Sequence, residues 1–230
     1  MVSVIISVWN GENYLGEAIE SVLRQDYAEK EVILVNDGST DQTKSIIKSF
    51  GSRVLCIDQE NKGLGAGRNT GIRRASGDYF TFLDHDDLWV PNKLSMQMKE
   101  LLSANDTPLI FTHVKQFICP TLPEEERRKI HVDASPLPGY IAGTMLLSRQ
   151  RFQEIGYFSE QKKQLGEFIE WYLKILELKI PVKMLSEIGL YRRVHNNNMG
   201  RRDLSRRGDY LKILKASLDR RRMQQLELLA

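Results

Sequence analysis

The first hundred residues alternate between short apolar runs typical of strands and longer segments with helical spacing. Residues 2–8 are rich in Val and Ile, and residues 12–24 then carry apolar side chains at helical intervals. The alternation continues with strand patterns at 31–35, 53–57 and 79–83 and helix patterns at 41–50 and 65–75. Apolar strands joined by amphipathic helices form right-handed βαβ crossovers. The sequence therefore predicts an α/β fold with a mostly parallel sheet and helices on both faces.

The second half of the chain has a weaker pattern. Helices are predicted at residues 93–102, 150–155 and 167–178, and strands at 109–113, 140–147 and 188–194. Residues 119–138 contain four prolines and a charged run, which indicates an exposed excursion. Residues 203–229 are predicted to be helical.

Composition and charge exclude several classes of protein. The hydrophobic fraction of 41% and the charged fraction of 27% are typical of a globular protein with a core. A net charge of +3 is too small to indicate a nucleic-acid partner, and none is expected. The apolar start of the chain lacks a basic leader, and Cys56 and Cys119 form no CxxC pair. We therefore expect a cytoplasmic protein, with membrane contact limited to the periphery of the inner face.

Polar segments follow three of the predicted strands. In parallel sheets, ligands bind beyond the carboxyl ends of the strands, which is where these segments lie. Residues 9–12 read Trp-Asn-Gly-Glu and residues 36–41 read Asn-Asp-Gly-Ser-Thr-Asp, both with the composition of ordinary turns. Residues 84–87 read Asp-His-Asp-Asp, and three carboxylates so close together repel one another unless a cation neutralises them. Mg²⁺ and Mn²⁺ prefer such oxygen ligands. The alternative is a solvated acidic turn that caps the next helix.

These segments, with residues 2–8 before them and Gly-Arg-Asn-Thr-Gly-Ile at 67–72, resemble the ordered motifs of family 2 glycosyltransferases. The resemblance covers residues 1 to about 195 and is strongest up to residue 100. It implies a Rossmann-like GT-A fold, a nucleotide-sugar donor that is commonly UDP-linked, a divalent cation (Mn²⁺ or Mg²⁺) and inversion at the anomeric carbon. We expect residues 1–200 to form the catalytic domain, with the nucleotide-sugar half at 1–105 and the acceptor half at 106–200.

The resemblance also implies roles for residues of the donor pocket. Asp37 would bind the nucleobase, and Trp9 and Glu12 would line the base and ribose pocket. Arg68 would reach toward the nucleotide from the start of a glycine-rich helix. Asp84 would be the first carboxylate of the DxD motif and would face the ribose.

Metal binding is assigned to the second half of the same motif. Asp86, the second DxD carboxylate, would hold the metal on the diphosphate. His195 lies in an R-x-H-x-x-N element that resembles the end of the family's catalytic domain. It would be a further metal ligand, or it would contact the diphosphate together with Arg193.

The catalytic base is the least regular part of the resemblance. The family usually provides a Glu-Asp pair at a helix start, but Phe168 stands here at the position of the Asp. Glu167 and Glu170 are three residues apart and can share one side of a helix, with Trp171 beside them as a sugar platform. Either glutamate could be the base, with Glu170 slightly preferred, or both could be ordinary helix charges. In the second case the chain would be a nucleotide-sugar-binding regulatory protein or an inactive homologue.

The C-terminal segment, residues 201–230, is predicted to be a basic amphipathic helix. From residue 201 to 222 it has nine basic and three acidic residues, a local net charge of +6. Leu204, Leu211, Leu214, Leu218 and Leu228 lie close to helical spacing. The preferred interpretation is packing on the domain or pairing with a second subunit. The alternative is an anionic membrane surface, which would bring the enzyme to a lipid-linked rather than a free carbohydrate acceptor.

Overall fold

The computed structural model describes residues 1–104, 106, 108–161, 166–198 and 208–229, with side chains as far as residue 223. The strands in these residues are β1 (Val2–Val8), β2 (Lys30–Asp37), β3 (Leu55–Gln59), β4 (Tyr79–Phe82), β5 (Leu88–Trp89), β6 (Leu109–Ile118), β7 (Leu137–Pro138), β8 (Leu146–Ser148) and β9 (Val182–Val194). The α-helices are α1 (Leu15–Leu23), α2 (Thr43–Ser49), α3 (Leu64–Arg74), α4 (Lys93–Ser103), α5 (Glu124–Arg128), α6 (Arg149–Ile155), α7 (Glu167–Glu177) and α8 (Gly208–Leu229).

One curved sheet runs through the molecule in the order β3-β2-β1-β4-β8-β6-β9-β5, and β7 pairs with β6 outside this path. Strands β3, β2, β1 and β4 are parallel to one another, and β6 is parallel to β9. Between these two parallel groups β8 runs antiparallel to β4 and β6, and β5 runs antiparallel to β9 at the far edge. The donor-side strands therefore end at a common carboxyl edge, which is where the polar segments lie.

Helices cover both faces of the sheet because successive β1 side chains point to opposite faces. The even-numbered residues of β1 belong to a buried cluster that includes Ile19 of α1 and Leu94 of α4. On the other face, Ile5 belongs to a cluster with Ile72 of α3 and Trp171 of α7. Burying one such aliphatic side chain contributes about 1.5–3 kcal/mol, so these two clusters hold the strand ends in position. The predicted α/β fold is confirmed.

The segment at residues 140–147 was predicted to be a strand, and that prediction is wrong. It forms a 3₁₀ turn at Ala142–Thr144 before the short β8. The Thr144 hydroxyl donates to the carbonyl of Gly139 and lies 2.9 Å from that of Ile141, which bends the backbone away from an extended path. In contrast, β6 and β9 are longer than predicted because they pair with each other over ten registered residues.

The predicted C-terminal helix is confirmed for residues 208–229, while residues 201–207, with Leu204, and residue 230 lie outside the described part. Helix α8 packs against α7 through Ile213 and Ser217, which are both buried. The Ser217 hydroxyl donates to the Glu177 carboxylate at 2.6 Å. Leu211, Leu214 and Leu218 are exposed, so the leucine stripe is not the packing face. Among the described helices none is long and apolar enough to span a bilayer.

Candidate active site

The polar segments after β1, β2 and β4 meet at the carboxyl edge of the sheet. The backbone N–H of Asn10 donates to Ser39 Oγ at 3.0 Å, and Asn10 Oδ1 accepts from the Thr40 N–H at 2.8 Å. A Cβ placed on Gly11 would come within 2.7 Å of the His85 ring, so only glycine lets the third segment approach the first. The polar side chain of Asn10 and the small Gly11 therefore hold the first segment against the other two, although the three segments are far apart in sequence.

Two of the predicted nucleotide-binding residues lie on the surface of this edge. Trp9 is 45% exposed, with its ring available to a ligand. Glu12 is anchored, since its carboxylate accepts from the Gln42 N–H at 3.0 Å and its own N–H donates to Asp41 at 3.1 Å. The Asp41 carboxylate lies at the entrance to α2, where these hydrogen bonds outweigh partial burial and lower its pKa.

Asp37, the predicted nucleobase ligand, is buried at the end of β2 and fastens the loop that leads into α3. Its Oδ1 accepts from Gln59 Nε2 at 2.7 Å and from the Lys62 N–H at 2.8 Å. Its Oδ2 accepts from the Gly63 N–H at 2.8 Å. Gly63 has a φ of 93°, a conformation that glycine adopts readily. Asp37 therefore sets the position of the α3 N-terminus.

Arg68 is a buried cation that joins the two halves of the predicted catalytic domain. Its Nη2 lies 2.8 Å from Asp84 Oδ1, and its Nη1 lies 2.7 Å from Glu167 Oε1. Burial disfavours its charge, but the two carboxylates outweigh burial and hold its pKa above the ordinary value. Arg68 reaches this position because Gly67 lets α3 lie directly on β1, where a Cβ would come within 2.0 Å of Ser7 Oγ.

Asp86 and His195 form a carboxylate–imidazole pair. Asp86 Oδ2 lies 2.9 Å from His195 Nε2 and accepts from Asn198 Nδ2 at 3.0 Å. Burial raises the pKa of Asp86, but the hydrogen bond with His195 and the electrostatic effects of His85 and His195 together outweigh burial and lower it. The backbone N–H of His195 donates to Asn198 Oδ1 at 2.6 Å, which fixes the loop that carries the imidazole.

This pair fits a divalent cation whose remaining ligands come from a substrate. No group of three or more Asp, Glu, His or Cys side chains within the described residues is arranged to hold a metal ion by itself. Mg²⁺ and Mn²⁺ at phosphate-transfer sites characteristically use one or two protein ligands and complete the shell with phosphate oxygens and water. The carboxylate of Asp86 and the imidazole of His195 are ligand types that such a cation accepts.

Arg193 was considered a contact to the diphosphate, but the structure places it behind the DxD loop. Its side chain is buried, its Nε donates to the Asp86 carbonyl at 3.0 Å and its Nη2 lies 2.5 Å from Glu17 Oε2. Its backbone N–H donates to the Asp87 carboxylate at 2.9 Å. Arg193 thus holds the backbone around Asp86 and Asp87 from a buried position. Glu17 was missed, because a charge in the first turn of an amphipathic helix is ordinary in sequence.

The two glutamates considered as bases point to different places. Glu167, the first residue of α7, is bound to Arg68 and so lies beside the DxD carboxylates. Glu170 lies one turn further along α7. The hydrogen bond with Glu177 raises the pKa of Arg220 on α8, and the charge of Glu170 adds a smaller effect in the same direction. Of these two residues, the structure therefore brings Glu167 to Arg68 and Asp84.

The aromatic residues of α7 are part of the core. Trp171 is fully buried, and its indole N–H donates to the Gly156 carbonyl at 2.7 Å. The suggestion that Trp171 is a sugar platform is therefore wrong. Phe168 is also buried, with its ring stacked on Tyr172 at a centroid distance of 6.3 Å. A helix that must cover the sheet buries this face, and the hydrophobic side chain at position 168 follows from that packing.

The carboxyl edge thus carries the DxD carboxylates, a buried arginine and a carboxylate–imidazole pair on a mostly parallel sheet, as expected for a glycosyltransferase of the GT-A class. The chain belongs to glycosyl transferase family 2, because the family model matches residues 3–160, more than half of its length. The resemblance noted from the sequence motifs and the assignment to the glycosyltransferases are both confirmed.

Curated relatives support the same class. An uncharacterised glycosyltransferase of Rickettsia typhi is 35% identical over 210 residues, which cover 85% of this chain and 64% of that protein. The Escherichia coli UDP-Glc:α-D-GlcNAc-diphosphoundecaprenol β-1,3-glucosyltransferase WfgD is 39% identical over 107 residues, covering 46% of this chain and 42% of that protein. The chain therefore spans less than two thirds of the length of each of these relatives.

Solved structures confirm the fold. The crystal structure of S. aureus TarS matches with a TM-score of 0.68 at 21% identity, covering 94% of this chain and 38% of that one. A structure of TarS 1–349 in complex with UDP matches with a TM-score of 0.63 at 21% identity, covering 94% and 64% of the two chains. The expected GT-A architecture is thus confirmed.

Proposed function

We propose that this chain transfers a sugar from a UDP-sugar to a carbohydrate or lipid-linked acceptor with inversion at the anomeric carbon, using a divalent cation (Mn²⁺ or Mg²⁺). The observation that carries the proposal is the bridge made by Arg68, which places Glu167 from the second half of the chain beside Asp84 of the DxD motif. A carboxylate from the acceptor half then lies next to the diphosphate-binding carboxylates, as transfer between two substrates requires.

The donor pocket is assigned to the edge formed by the first two polar segments. Trp9 would stack on or flank the base, Asp37 would accept a hydrogen bond from it, and Glu12 would border the ribose. The choice of UDP is supported by relatives and structural neighbours: WfgD is named for UDP-Glc, and TarS has been crystallised with UDP and UDP-GlcNAc. Asp84, on the opposite side of the edge, would face the ribose while it remains bound to Arg68.

The metal is assigned to Asp86 and His195, which lie 2.9 Å apart. A divalent cation bound there would neutralise negative charge on a departing diphosphate. Asn198 and Arg193 orient the pair, since Asn198 binds the Asp86 carboxylate and Arg193 binds its backbone carbonyl. Protein groups of this kind fix the direction of a ligand without contacting the metal.

In the proposed reaction the acceptor oxygen bonds to the anomeric carbon from the face opposite the diphosphate. The bond between that carbon and the diphosphate oxygen breaks, and its electron pair leaves with UDP. The proton of the acceptor hydroxyl passes to the carboxylate of Glu167, which acts as the general base. Arg68 holds that carboxylate in place through its 2.7 Å contact.

A second function is favoured by one specific observation. The 2.7 Å contact with the buried Arg68 occupies one carboxylate oxygen of Glu167, so that oxygen is not free to accept a proton. The position at which the family usually has its base is occupied by the buried Phe168. A chain that keeps the donor pocket but lacks a competent base would bind nucleotide sugars and regulate a partner. This regulatory function predicts nucleotide binding without turnover.

The test compares Glu167→Gln with Glu170→Gln, which is a matched control because it makes the same change one turn away on α7, while Glu167 is the glutamate bound to Arg68. Turnover of UDP-sugars by hydrolysis and by transfer to lipid-linked and free carbohydrate acceptors is measured with Mn²⁺, and UDP binding is measured by calorimetry. We expect Glu167→Gln to lower kcat about 10²–10⁴-fold while UDP affinity stays the same. Glu170→Gln should behave like wild type, and Asp86→Ala should lose the metal-dependent part of the activity.

The outcomes separate the two functions. Wild-type turnover in Glu167→Gln would reject Glu167 as the base. Binding of UDP by wild type with no turnover on any donor and acceptor would favour the regulatory function. Absence of UDP binding would reject both.

A further inference from the structure

The two C-terminal helices of the described chain, α7 and α8, pack side by side and run in the same direction. A Cβ on Gly166, just before α7, would come within 2.9 Å of the Tyr210 ring and 3.1 Å of Ile213 near the start of α8. At the other end of α7, Glu177 accepts from Ser217 at 2.6 Å and from Arg220. The early residues of α7 thus contact early residues of α8, and the late residues contact late ones.

An exposed apolar face follows from this parallel arrangement. Each residue turns a helix by about 100°. Because the two parallel helices face each other, their contact residues point in opposite directions. A residue one position before a contact residue of α7 therefore points to the same side of the pair as a residue one position after a contact residue of α8. Large apolar side chains, each 38–71% exposed, occupy those positions: Ile169 and Leu176 on α7, and Leu211, Leu214 and Leu218 on α8. We call this set the α7–α8 leucine face.

Basic residues border the α7–α8 leucine face. Lys215 and Arg222 are exposed and follow the stripe on the outer side of α8, four residues after Leu211 and Leu218 respectively. Asp209 precedes Leu218 by nine positions, about two and a half turns, and so lies on the opposite side of the helix. Asp219 is also exposed and follows Lys215 by four residues on the outer side, so this border carries two basic residues and one acidic residue. The border is therefore net positive, and the segment from residue 201 to 222 has a net charge of +6.

We infer that the α7–α8 leucine face binds the surface of an anionic lipid bilayer. An apolar strip with a basic border is the arrangement by which helices lie in the interface plane, with leucines at the acyl boundary and Lys or Arg at the headgroups. A second copy of the chain fits less well. In a two-fold dimer through this face with its axis perpendicular to the helices, Lys215 and Arg222 of both copies would share one rim, where like charges repel.

Bilayer binding at this face also bears on the acceptor, and that link rests on the proposed function. Helix α7 carries both Glu167 and part of the α7–α8 leucine face, so the two are separated sideways by no more than about one helix diameter, roughly 10–12 Å. An enzyme held in this way meets acceptors that are anchored in the bilayer. The acceptor class inferred from the surface is therefore a lipid-linked saccharide.

The experiment is co-sedimentation of the full chain with vesicles of phosphatidylcholine, with and without phosphatidylglycerol. Three variants are compared with wild type: Leu214→Ser/Leu218→Ser, Lys215→Glu/Arg222→Glu, and Leu102→Ser as a matched control, an exposed leucine on α4 across the sheet. We expect binding that requires phosphatidylglycerol and that falls at least about tenfold in each double variant. Leu102→Ser should bind as wild type does.

Several results would overturn the inference. The inference is rejected if the wild-type chain does not bind anionic vesicles. It is also rejected if both double variants still bind them. A dimer seen by analytical ultracentrifugation and abolished by Leu214→Ser/Leu218→Ser would assign the face to a second copy. Hydrolysis of UDP-sugar without vesicles is measured in parallel and should be unchanged in the double variants. Its absence in wild type would count against the proposed function alone, since vesicle binding does not depend on it.

Discussion

Two buried arginines connect parts of the chain that are far apart in sequence. Arg68 joins Asp84 to Glu167, and Arg193 joins the backbone of Asp86 to Glu17. A guanidinium suits both positions because its planar fork donates to several acceptors at fixed angles, whereas an ammonium group does not. At the residue scale, the orientation of the DxD loop depends on these cations as well as on the carboxylates themselves.

Replacement of Arg193 by lysine is expected to weaken the binding of the proposed cation at Asp86. The lysine keeps the charge but cannot contact the Asp86 carbonyl and Glu17 with the same geometry. Outer contacts to metal ligands typically contribute about 10–100-fold in metal affinity or activity. The apparent Mn²⁺ concentration for half-maximal activity should rise by that factor, with the KM for acceptor unchanged. A Mn²⁺ activation curve identical to wild type would show that Arg193 is only structural.

Lys93 gives a pH-dependent prediction. It is fully buried beneath the sheet, donates to Gln97 Oε1 at 2.7 Å and lies 4.0 Å from the centre of the Trp89 ring. Burial of its ammonium group lowers its pKa well below the ordinary value. The unfolded chain therefore keeps this proton to a higher pH than the folded protein, and raising the pH favours folding.

The Lys93→Met variant lacks this titration and serves as the reference. Between the lowered pKa and the ordinary lysine pKa, the free energy of unfolding of wild type relative to Lys93→Met should increase with pH, by at most about 1.4 kcal/mol per pH unit. Urea unfolding of both proteins between about pH 7 and pH 10 measures the difference. Parallel pH profiles would mean that Lys93 has the same pKa in the folded and unfolded states.

At the scale of elements, α3 lies unusually close to β1. A Cβ on Gly71 would come within 2.4 Å of the fully buried Ile5, whereas Gly16 on α1 has open space around it. This close approach brings Arg68, on the same helix, to the carboxyl edge of the sheet. The glycines of α3 therefore serve packing, although the same residues resemble a family motif in the sequence.

Gly71→Ala and Gly16→Ala should have opposite effects on stability. Alanine is the better helix former by about 1 kcal/mol, so Gly16→Ala should be neutral or stabilising. At Gly71 the added methyl overpacks the contact with Ile5, which typically costs about 1–3 kcal/mol and exceeds the helix propensity gained. Thermal or urea unfolding of the two variants provides the measurement. Equal stability of both variants would contradict the tight α3–β1 contact.

At the scale of the whole molecule, the two predicted halves share one sheet. Strand β4 of the first half pairs with β8 of the second, and β5 at residues 88–89 pairs with β9. Asn69 Nδ2 also donates to the Phe158 carbonyl at 3.0 Å across the same boundary. The described residues of the two predicted halves thus share a single core.

A fragment of residues 1–105 is expected not to fold by itself. It would expose β4 as an unpaired edge and uncover the face of the sheet that α6 and α7 bury in the intact chain. Circular dichroism and UDP binding should show an unfolded or aggregated fragment, while the full chain unfolds in one cooperative transition. A soluble, folded fragment that binds UDP would show that the first half is an independent domain.

The sequence by itself determined the elements of the donor half and the residues at their ends. Strands β1 to β4 and helices α1 to α4 follow from apolar periodicity, which is a local property of the chain. The position of Asp37 and Asp84 directly after strands already placed them at one edge. The helical tail was predictable for the same reason over residues 208–229.

The tertiary structure alone decided the features that depend on distant partners. The lengths of β6 and β9 come from their mutual pairing, and the core burial of Trp171 comes from the face of α7 that covers the sheet. The sequence places Glu167 and Glu170 three residues apart on one helix. Which of them contacts Arg68 depends on how α7 packs against the sheet. Such contacts join residues about a hundred positions apart, and local periodicity holds no information about them because packing determines which faces meet.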